Sequence, residues 1–129
     1  MAFEVIQGPG IPSSNLPFSP AVKVGGFVFV SGQASVDVTG KIVVDDFAGE
    51  MRRSFDNIQK ILAAAGLTLK DVVQVRSYVG QREYMGEYNR IYREIFQPPY
   101  PARTTIIECL GESLKFEVEV VAFAGEKRS

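Results

Sequence analysis

The sequence predicts an α+β fold, a layer sandwich in which a mixed β-sheet is covered by two helices on one face. Runs of β-branched and aromatic residues alternate with two segments whose apolar residues recur every three or four positions. Their order along the chain is strands, helix, strand, helix, two strands. Because the chain has 129 residues and no internal linker or repeat, we expect a single domain over residues 1–129.

The N-terminal part is predicted to contain a loop, a strand and a turn. Residues 8–20 are rich in Pro, Gly and Ser, which is typical of an extended loop. Residues 27–31, Phe-Val-Phe-Val-Ser, are aromatic and β-branched and predict a strand. Residues 38–41 predict a turn, after which residues 42–44 are available for strand pairing.

A first helix is predicted to begin after Asp45 and Asp46, either of which is a good N-cap residue. Gly66 is typical of a helix C-terminus and ends it. The apolar residues recur at spacings of three and four and form one stripe, which packs on the sheet. This stripe contains Phe47, Met51, Phe55, Ile58, Leu62 and Ala65. The charged residues off the stripe, which are expected to face water, are Arg52, Arg53, Asp56 and Lys60.

Residues 72–79 are rich in valine and predict a second strand. A second helix is predicted over residues 83–96, and proline then prevents its continuation. Residues 102–109 and 115–123 predict two final strands. The second helix has a stripe of Tyr84, Tyr88, Ile91, Tyr92 and Ile95. The three prolines after it are Pro98, Pro99 and Pro101.

Both faces of the predicted sheet have apolar side chains. Phe27 and Phe29 point one way, and the valines between them point the other. In the last strand the same alternation places Val121 and Phe123 opposite the main apolar face. Two helices cover only one face, so we expect a second copy of the chain to cover the other. The alternative is a partly exposed apolar face, which is uncommon at this size.

The charge balance gives no reason to expect a nucleic acid or a membrane as partner. The chain has 14 Lys and Arg against 15 Asp and Glu, a net charge of −1. Its longest apolar run is too short for a transmembrane helix, and the N-terminus lacks the pattern of a signal peptide. A single cysteine, Cys109, forms no internal disulfide, which favours the cytoplasm.

Histidine is absent, and this excludes several classes of chemistry. No Ser-His-Asp or Cys-His catalytic arrangement exists, and zinc sites built on imidazole or on several thiolates are excluded. The only Gly-Lys pair, at Gly40, is followed by Ile42, so there is no ATP-type phosphate loop. Any catalysis must use Arg, Lys, carboxylates, hydroxyls, backbone groups or water.

Glu117 and Glu119 share a face with the apolar residues that a partner would cover, so at least one carboxylate becomes partly buried and needs a cation or a hydrogen-bond donor. Arg103 begins the predicted strand next to theirs, just after the prolines. An arginine fixed in this way suits bidentate recognition of a substrate carboxylate. The alternative is an ion pair between Arg103 and a glutamate, which these residues alone favour.

Three further groups of residues are weaker candidates. Asp45, Asp46 and Glu50 resemble a metal cluster but are better interpreted as an N-cap with a first-turn acid. Cys109 lacks a histidine partner and is expected to be a small buried residue. Tyrosines mixed with arginines suggest RNA stacking, but their helical spacing favours a core stripe. These tyrosines are Tyr78, Tyr84, Tyr88 and Tyr92.

Seven segments together resemble the Rid family, also called YjgF and formerly labelled translation initiation inhibitors or endoribonucleases. They follow the family's order over most of the chain, and the SGQ, PAR-T and E-x-E pieces are the most specific. The segments are PFSPAVKVGGFVFVSGQ (17–33), TGKIV (39–43), SFDNIQKILAAAG (54–66), LTLKDVVQVRSYV (67–79), YNRIYREIF (88–96), YPARTTIIE (100–108) and KFEVEVVAF (115–123).

The resemblance implies a chorismate-mutase-like fold that forms a homotrimer, with the sheets lining an inner barrel and three clefts between subunits. It also implies an enamine/imine deaminase of the 2-iminobutanoate/2-iminopropanoate type. Such enzymes hydrolyse 2-imino acids released by pyridoxal-phosphate enzymes to 2-keto acids and ammonia, without a metal or organic cofactor. The alternative within the family is a non-catalytic trimer that binds small acids or a partner.

By position, Arg103 matches the arginine that grips the substrate carboxylate, and Glu117 matches the glutamate that positions or activates water. Ser31 and Asn89 match positions near the cleft. Two substrate-binding positions differ from the deaminase pattern. Phe18 stands where those enzymes usually have Tyr, and Thr105 stands where many have Cys, although the Thr105 backbone can still contact an imine nitrogen.

Overall fold

One mixed six-stranded sheet has the strand order β1-β2-β3-β6-β4-β5 in the computed structural model, which describes residues 2–125. The strands are β1 (Glu4–Val5), β2 (Ala21–Val24), β3 (Phe27–Ala34), β4 (Val72–Val79), β5 (Ala102–Ile107) and β6 (Phe116–Phe123). Among the pairs of neighbouring strands in this sheet, only β4 and β5 run parallel to each other. The long strands β3, β6 and β4 form the centre, and β5 is an edge strand with one neighbour.

Two helices pack on one face of this sheet, as the sequence predicts. They are α1 (Phe47–Ala64) and α2 (Met85–Ile95). The Asp46 carboxylate caps α1 by accepting a hydrogen bond from the Gly49 N–H at 2.8 Å. Gly66, at φ 76°, follows the C-terminus of α1 in the left-handed conformation that glycine favours. The α2 helix is shorter than predicted because a 3-10 turn, Arg82–Tyr84, precedes it.

The two faces of the sheet have different surroundings. Val28 and Val30 of β3 are buried beneath the helices, together with the alternate residues of β6. On the other face, which we call the open face, Phe27, Phe29 and Phe123 are each 40–43% exposed. The Phe27 and Phe123 rings lie 4.9 Å apart. The predicted alternation is therefore confirmed, and within residues 2–125 no element covers this face.

The strands differ from the prediction in several places. Strands β1 and β2 were not predicted, although Gly25 and Gly26, both with positive φ, form the turn that joins β2 to β3. Residues 42–44 pair through one isolated bridge, Ile42 to Val36, and form no strand. Strand β5 ends at Ile107 because Glu108 has φ 63° and turns the chain out of the sheet.

Glu50 is the first-turn acid that the sequence predicts, and it is fully buried. Its carboxylate accepts hydrogen bonds from the backbone N–H groups of Asp45 and Lys115, at 3.1 and 2.9 Å. It therefore joins the start of α1 to the start of β6. Residues 2–125 contain no cluster of three potential metal ligands and no helix long and apolar enough to cross a membrane.

Candidate functional site

Arg103 lies at the sheet edge against α2. It is opposite Val75 in the β4–β5 register, so its side chain leaves the sheet on the helix-covered face. The guanidinium carbon lies 5.0 Å from the centre of the Tyr88 ring and 4.8 Å from that of Tyr92. One guanidinium nitrogen donates a hydrogen bond to Asn89 Oδ1 at 2.8 Å. Two aromatic faces and a neutral amide therefore hold this cation.

The ion pair between Arg103 and a glutamate, which the sequence left open, does not occur within residues 2–125, where no carboxylate lies within 4.0 Å of this guanidinium. A guanidinium has five N–H donors in a fork that matches a carboxylate. Asn89 accepts from one of them. The arrangement can therefore receive an external carboxylate.

Thr105 is two residues further along β5 and projects to the same face as Arg103. Its hydroxyl is hydrogen-bonded to the Tyr88 hydroxyl at 3.0 Å. The side chain therefore positions Tyr88, one of the two rings that hold Arg103. Because β5 pairs only with β4, the outer edge of its backbone remains available for hydrogen bonds.

A cavity of about 260 Å³ opens beside Arg103. This volume suits a molecule smaller than a typical drug.

Burial, with a further contribution from Tyr88, raises the pKa of Tyr92 to about 12. The Tyr92 hydroxyl is buried and has no hydrogen-bond partner within residues 2–125. The residues that line the cavity are Asn89, Tyr92, Arg93, Tyr100, Pro101 and Arg103. We call Arg103, Asn89, Thr105, Tyr88 and Tyr92 the arginine half-site.

Glu117 lies on the open face, near the start of β6. It is directly opposite Ala34 of β3 and Tyr78 of β4. Burial raises the pKa of the Glu117 carboxyl above its usual value, and the negative charge of Glu119 adds to this effect. A half-buried carboxyl with a raised pKa is a candidate for proton transfer.

Glu119, the second glutamate of the pair, already has two partners. It accepts hydrogen bonds from Arg76 at 2.9 Å and from the Tyr78 hydroxyl at 2.8 Å. Within residues 2–125, Glu117 has neither an ion-pair partner nor a hydrogen-bond donor. The structure therefore distinguishes the two glutamates, which the sequence alone does not.

Gly32 is required for the position of Glu117. Strand β3 has a bulge, where Ser31 and Gly32 together face one residue of β6. A Cβ atom at Gly32 would collide with Glu117 Oε2. The glycine of the Ser-Gly-Gln motif therefore leaves space for the carboxylate.

Ser31 ties the N-terminal loop to this bulge. Its hydroxyl donates a hydrogen bond to the Ser19 carbonyl at 2.6 Å, and its backbone N–H donates to the Pro20 carbonyl at 2.9 Å. Phe18, next to Ser19, is 52% exposed and lines a separate cavity of about 280 Å³ formed by residues 7–20. We call Glu117, Ser31 and Gly32 the glutamate half-site.

The structure does not bring the two half-sites together within one chain. The prediction that Arg103 lies on the strand next to that of Glu117 is wrong, because β4 lies between β5 and β6. Arg103 faces the helices and Glu117 faces the open side, so the sheet itself separates them.

The structure also tests two of the weaker groups of candidates. Cys109 is exposed rather than buried, since it follows the turn at Glu108 and lies outside the sheet. Tyr88 and Tyr92 are buried, which confirms the core stripe, whereas Tyr78 lies on the open face. That these two core tyrosines also hold Arg103 was not predicted. The sequence signal for it is the spacing of four residues between Tyr88 and Tyr92, with Asn89 between them.

Comparisons with known proteins agree with this architecture. The family model described as endoribonuclease L-PSP matches residues 11–124. A RutC family protein of Pyrococcus abyssi is 38% identical, covering 95% of this chain and 98% of that protein. A 2-iminobutanoate/2-iminopropanoate deaminase of Dermatophagoides farinae is 31% identical, covering 91% and 93% respectively. A Yersinia pestis structure of the conserved Rid protein family superposes with a TM-score of 0.87 at 30% identity, covering 95% and 99%.

The matched region includes β3, β5, β6 and both helices, and therefore every residue of the two half-sites. The similarity extends over nearly the whole length of the relatives. The chain belongs to the Rid (YjgF) family.

Proposed function

We propose that the protein hydrolyses reactive 2-imino (enamine) acids to 2-keto acids and ammonia. The main observation behind this proposal is that the Arg103 guanidinium lines a small cavity and has no carboxylate partner within residues 2–125. The similarity to a protein named 2-iminobutanoate/2-iminopropanoate deaminase supports the same reaction class.

The proposed active form is a homotrimer whose sheets line an inner barrel. In it the open face of one copy lies against the β5 edge of the next, so that a cleft contains Arg103 from one copy and Glu117 from its neighbour. Two observations support this arrangement. The exposed Phe27, Phe29 and Phe123 form an apolar surface that a second copy would cover. The two half-sites also lie on opposite faces of the sheet.

In the proposed reaction, Arg103 holds the substrate carboxylate through two parallel N–H···O bonds. The carbon of a protonated imine is already electrophilic, so the site must mainly orient the substrate and a water molecule. Glu117 accepts a proton from the water as its oxygen bonds to the imine carbon. The Thr105 backbone contacts the imine nitrogen. Glu117 then passes this proton to the amine nitrogen, the C–N bond breaks and ammonia leaves, and the hydroxyl proton moves to Glu117 as the C=O bond forms.

The raised pKa of Glu117 agrees with the role of general base. A base with a pKa closer to the working pH gains proton-transfer driving force, and such catalysis contributes about a hundredfold to ten-thousandfold. This chemistry uses no metal or organic cofactor. The proposed location is the cytoplasm, because a reducing compartment suits the exposed and unpaired Cys109.

The alternative is a trimer that binds 2-imino or 2-keto acids without hydrolysing them. One observation favours it: Phe18 has no hydroxyl, and it lines a separate cavity that neither half-site shares. This alternative keeps the Arg103 site but removes catalysis, so binding and turnover must be measured separately.

The test uses 2-iminobutanoate generated in the cuvette by an amino-acid oxidase, with keto-acid and ammonia release followed against the spontaneous rate. We expect the wild type to accelerate release and Arg103→Ala to abolish the acceleration. Arg52→Ala is the matched control, because Arg52 lies on α1 and pairs with Glu94 away from the cavity. Calorimetric binding of 2-oxobutanoate without any acceleration of imine hydrolysis would establish the binding-only alternative instead.

A further inference from the structure

Arg93 lines the same cavity as Arg103, and these two arginines share an unusual property. Residues 2–125 contain seven arginines. Five of them have a carboxylate oxygen within 4.0 Å, and the remaining two are Arg93 and Arg103. Both line the cavity of about 260 Å³. The arginines without a carboxylate partner therefore occur together, at the candidate site.

The two guanidinium groups lie close to one residue. Arg103 donates a hydrogen bond to the side-chain oxygen of Asn89 at 2.8 Å. Arg93, one helical turn after Asn89, donates to its backbone carbonyl at 3.5 Å. Both acceptors are neutral, so neither positive charge is compensated. Two cations that face one small cavity attract a ligand with two negative groups.

We propose that the preferred substrates are 2-imino dicarboxylic acids, with Arg103 binding the carboxylate next to the imine and Arg93 binding the distal carboxylate. This inference rests on the proposed imine hydrolysis and specifies its substrate class. Arg93 is the specificity-determining residue. Because it acts on the distal end of the substrate, its removal lowers the hydrolysis of dicarboxylic imino acids more than that of monocarboxylic imino acids.

The expected size of the dicarboxylate preference follows from the exposure of the Arg93 side chain. Arg93 is exposed, so water and salt screen its charge, and its contribution is smaller than that of a buried pair. A charge-assisted hydrogen bond at the screened end of the usual range corresponds to about a tenfold preference. The preference should also decrease as the salt concentration increases. The rival arrangement is an ion pair between Arg93 and a carboxylate of a neighbouring copy, in which case the residue supports assembly.

The experiment compares wild type, Arg93→Gln, Arg93→Lys and Arg90→Gln. Arg90 is the matched control, because it is on the same helix and already pairs with Glu87 and Glu94. For each variant, kcat/KM is measured with 2-iminoglutarate and with 2-iminobutanoate generated by oxidases. Calorimetry gives the affinities for 2-oxoglutarate and 2-oxobutanoate, which are the reaction products and stable analogues of the imino acids. Sedimentation gives the oligomeric state.

We expect Arg93→Gln to lower the ratio of dicarboxylate to monocarboxylate kcat/KM about tenfold. Arg93→Lys should retain part of the preference, and Arg90→Gln all of it. An unchanged ratio, or dissociation of the oligomer in Arg93→Gln without a change in the ratio, would overturn the inference. If no imine is hydrolysed but 2-oxoglutarate binding depends on Arg93, the dicarboxylate preference stands and the proposed hydrolysis fails.

Discussion

Arg103 and Glu117 project from opposite faces of one sheet. Arg103, on the edge strand β5, packs against two tyrosines of α2, whereas Glu117, on the central strand β6, lies on the face that no helix covers. Rotamer changes in these two side chains cannot bring them together across the sheet. A reaction that needs both groups therefore requires two copies of the chain.

Arg103→Lys tests whether geometry or charge binds the substrate. Lysine keeps the positive charge but loses the planar fork and the stacking on Tyr88 and Tyr92. We expect kcat/KM for imine hydrolysis to decrease about tenfold to a hundredfold. Steady-state kinetics measure this decrease in kcat/KM, with Arg52→Lys as the control. Retention of wild-type kcat/KM in Arg103→Lys would show that charge alone is sufficient and that the bidentate geometry is not needed.

Gly32→Ala tests the space that the bulge leaves for Glu117. The added Cβ collides with the Glu117 carboxylate, which must move away. We expect a loss of imine hydrolysis comparable to that of Glu117→Gln, about a hundredfold or more. Gly86→Ala in α2 is the control, because a Cβ there meets nothing within 4 Å and should stabilise the helix by up to about 1 kcal/mol. Equal activity of the two alanine variants would contradict this role of Gly32.

Tyr92→Phe and Tyr88→Phe form a matched pair for stability. The Tyr92 hydroxyl is buried without a partner, so its removal should stabilise the protein by about 1 kcal/mol. The Tyr88 hydroxyl is bonded to Thr105, so its removal should destabilise the protein by about 1 kcal/mol. Urea unfolding at a fixed protein concentration measures both. Destabilisation by Tyr92→Phe would show that this hydroxyl has a partner in the assembled protein.

Glu117 should make the stability depend on pH. Its pKa is raised above the ordinary value of 4.5, so the folded state binds a proton more tightly than the unfolded state. The contribution of Glu117 to the free energy of unfolding is therefore fully present below pH 4.5, and it is lost as the pH increases through the raised pKa. Activity should increase over the same interval, because the carboxylate is the active form.

The measurement is the difference in Tm between Glu117→Gln and the wild type across pH. We expect the variant to become relatively more stable as the pH increases through this interval, and then to keep a constant advantage. A difference that does not change with pH would mean that the Glu117 pKa in the assembled protein is ordinary.

The sequence predicts those parts of the fold that local pattern determines. The stripe from Phe47 to Leu62 and the cap at Asp46 place α1 correctly, because periodicity and capping are local properties. The alternation along β6 correctly separates Val118 and Val120 from Glu117 and Glu119. The turn at Glu108 was missed because a positive φ at a glutamate has no signature in residue type.

The grouping of the candidate site residues was predicted less completely than the fold. Residue types and motifs identify Arg103, Glu117, Asn89 and Thr105 as candidates. The strand order determines which of them share a face, and strand order depends on contacts between residues far apart in the chain. For this reason the predicted adjacency of the Arg103 and Glu117 strands is wrong, since β4 lies between them.

The most direct test of the two-copy site is a mixing experiment with Arg103→Ala and Glu117→Gln. Each variant alone should be inactive, since each lacks one half of every cleft. When the two are co-refolded in equal amounts, about one cleft in four contains Arg103 from one chain and Glu117 from the other, so about a quarter of wild-type imine hydrolysis should return. If the mixture forms hybrid trimers by mass and remains inactive, or if the wild-type protein is monomeric and active, the two-copy site is contradicted.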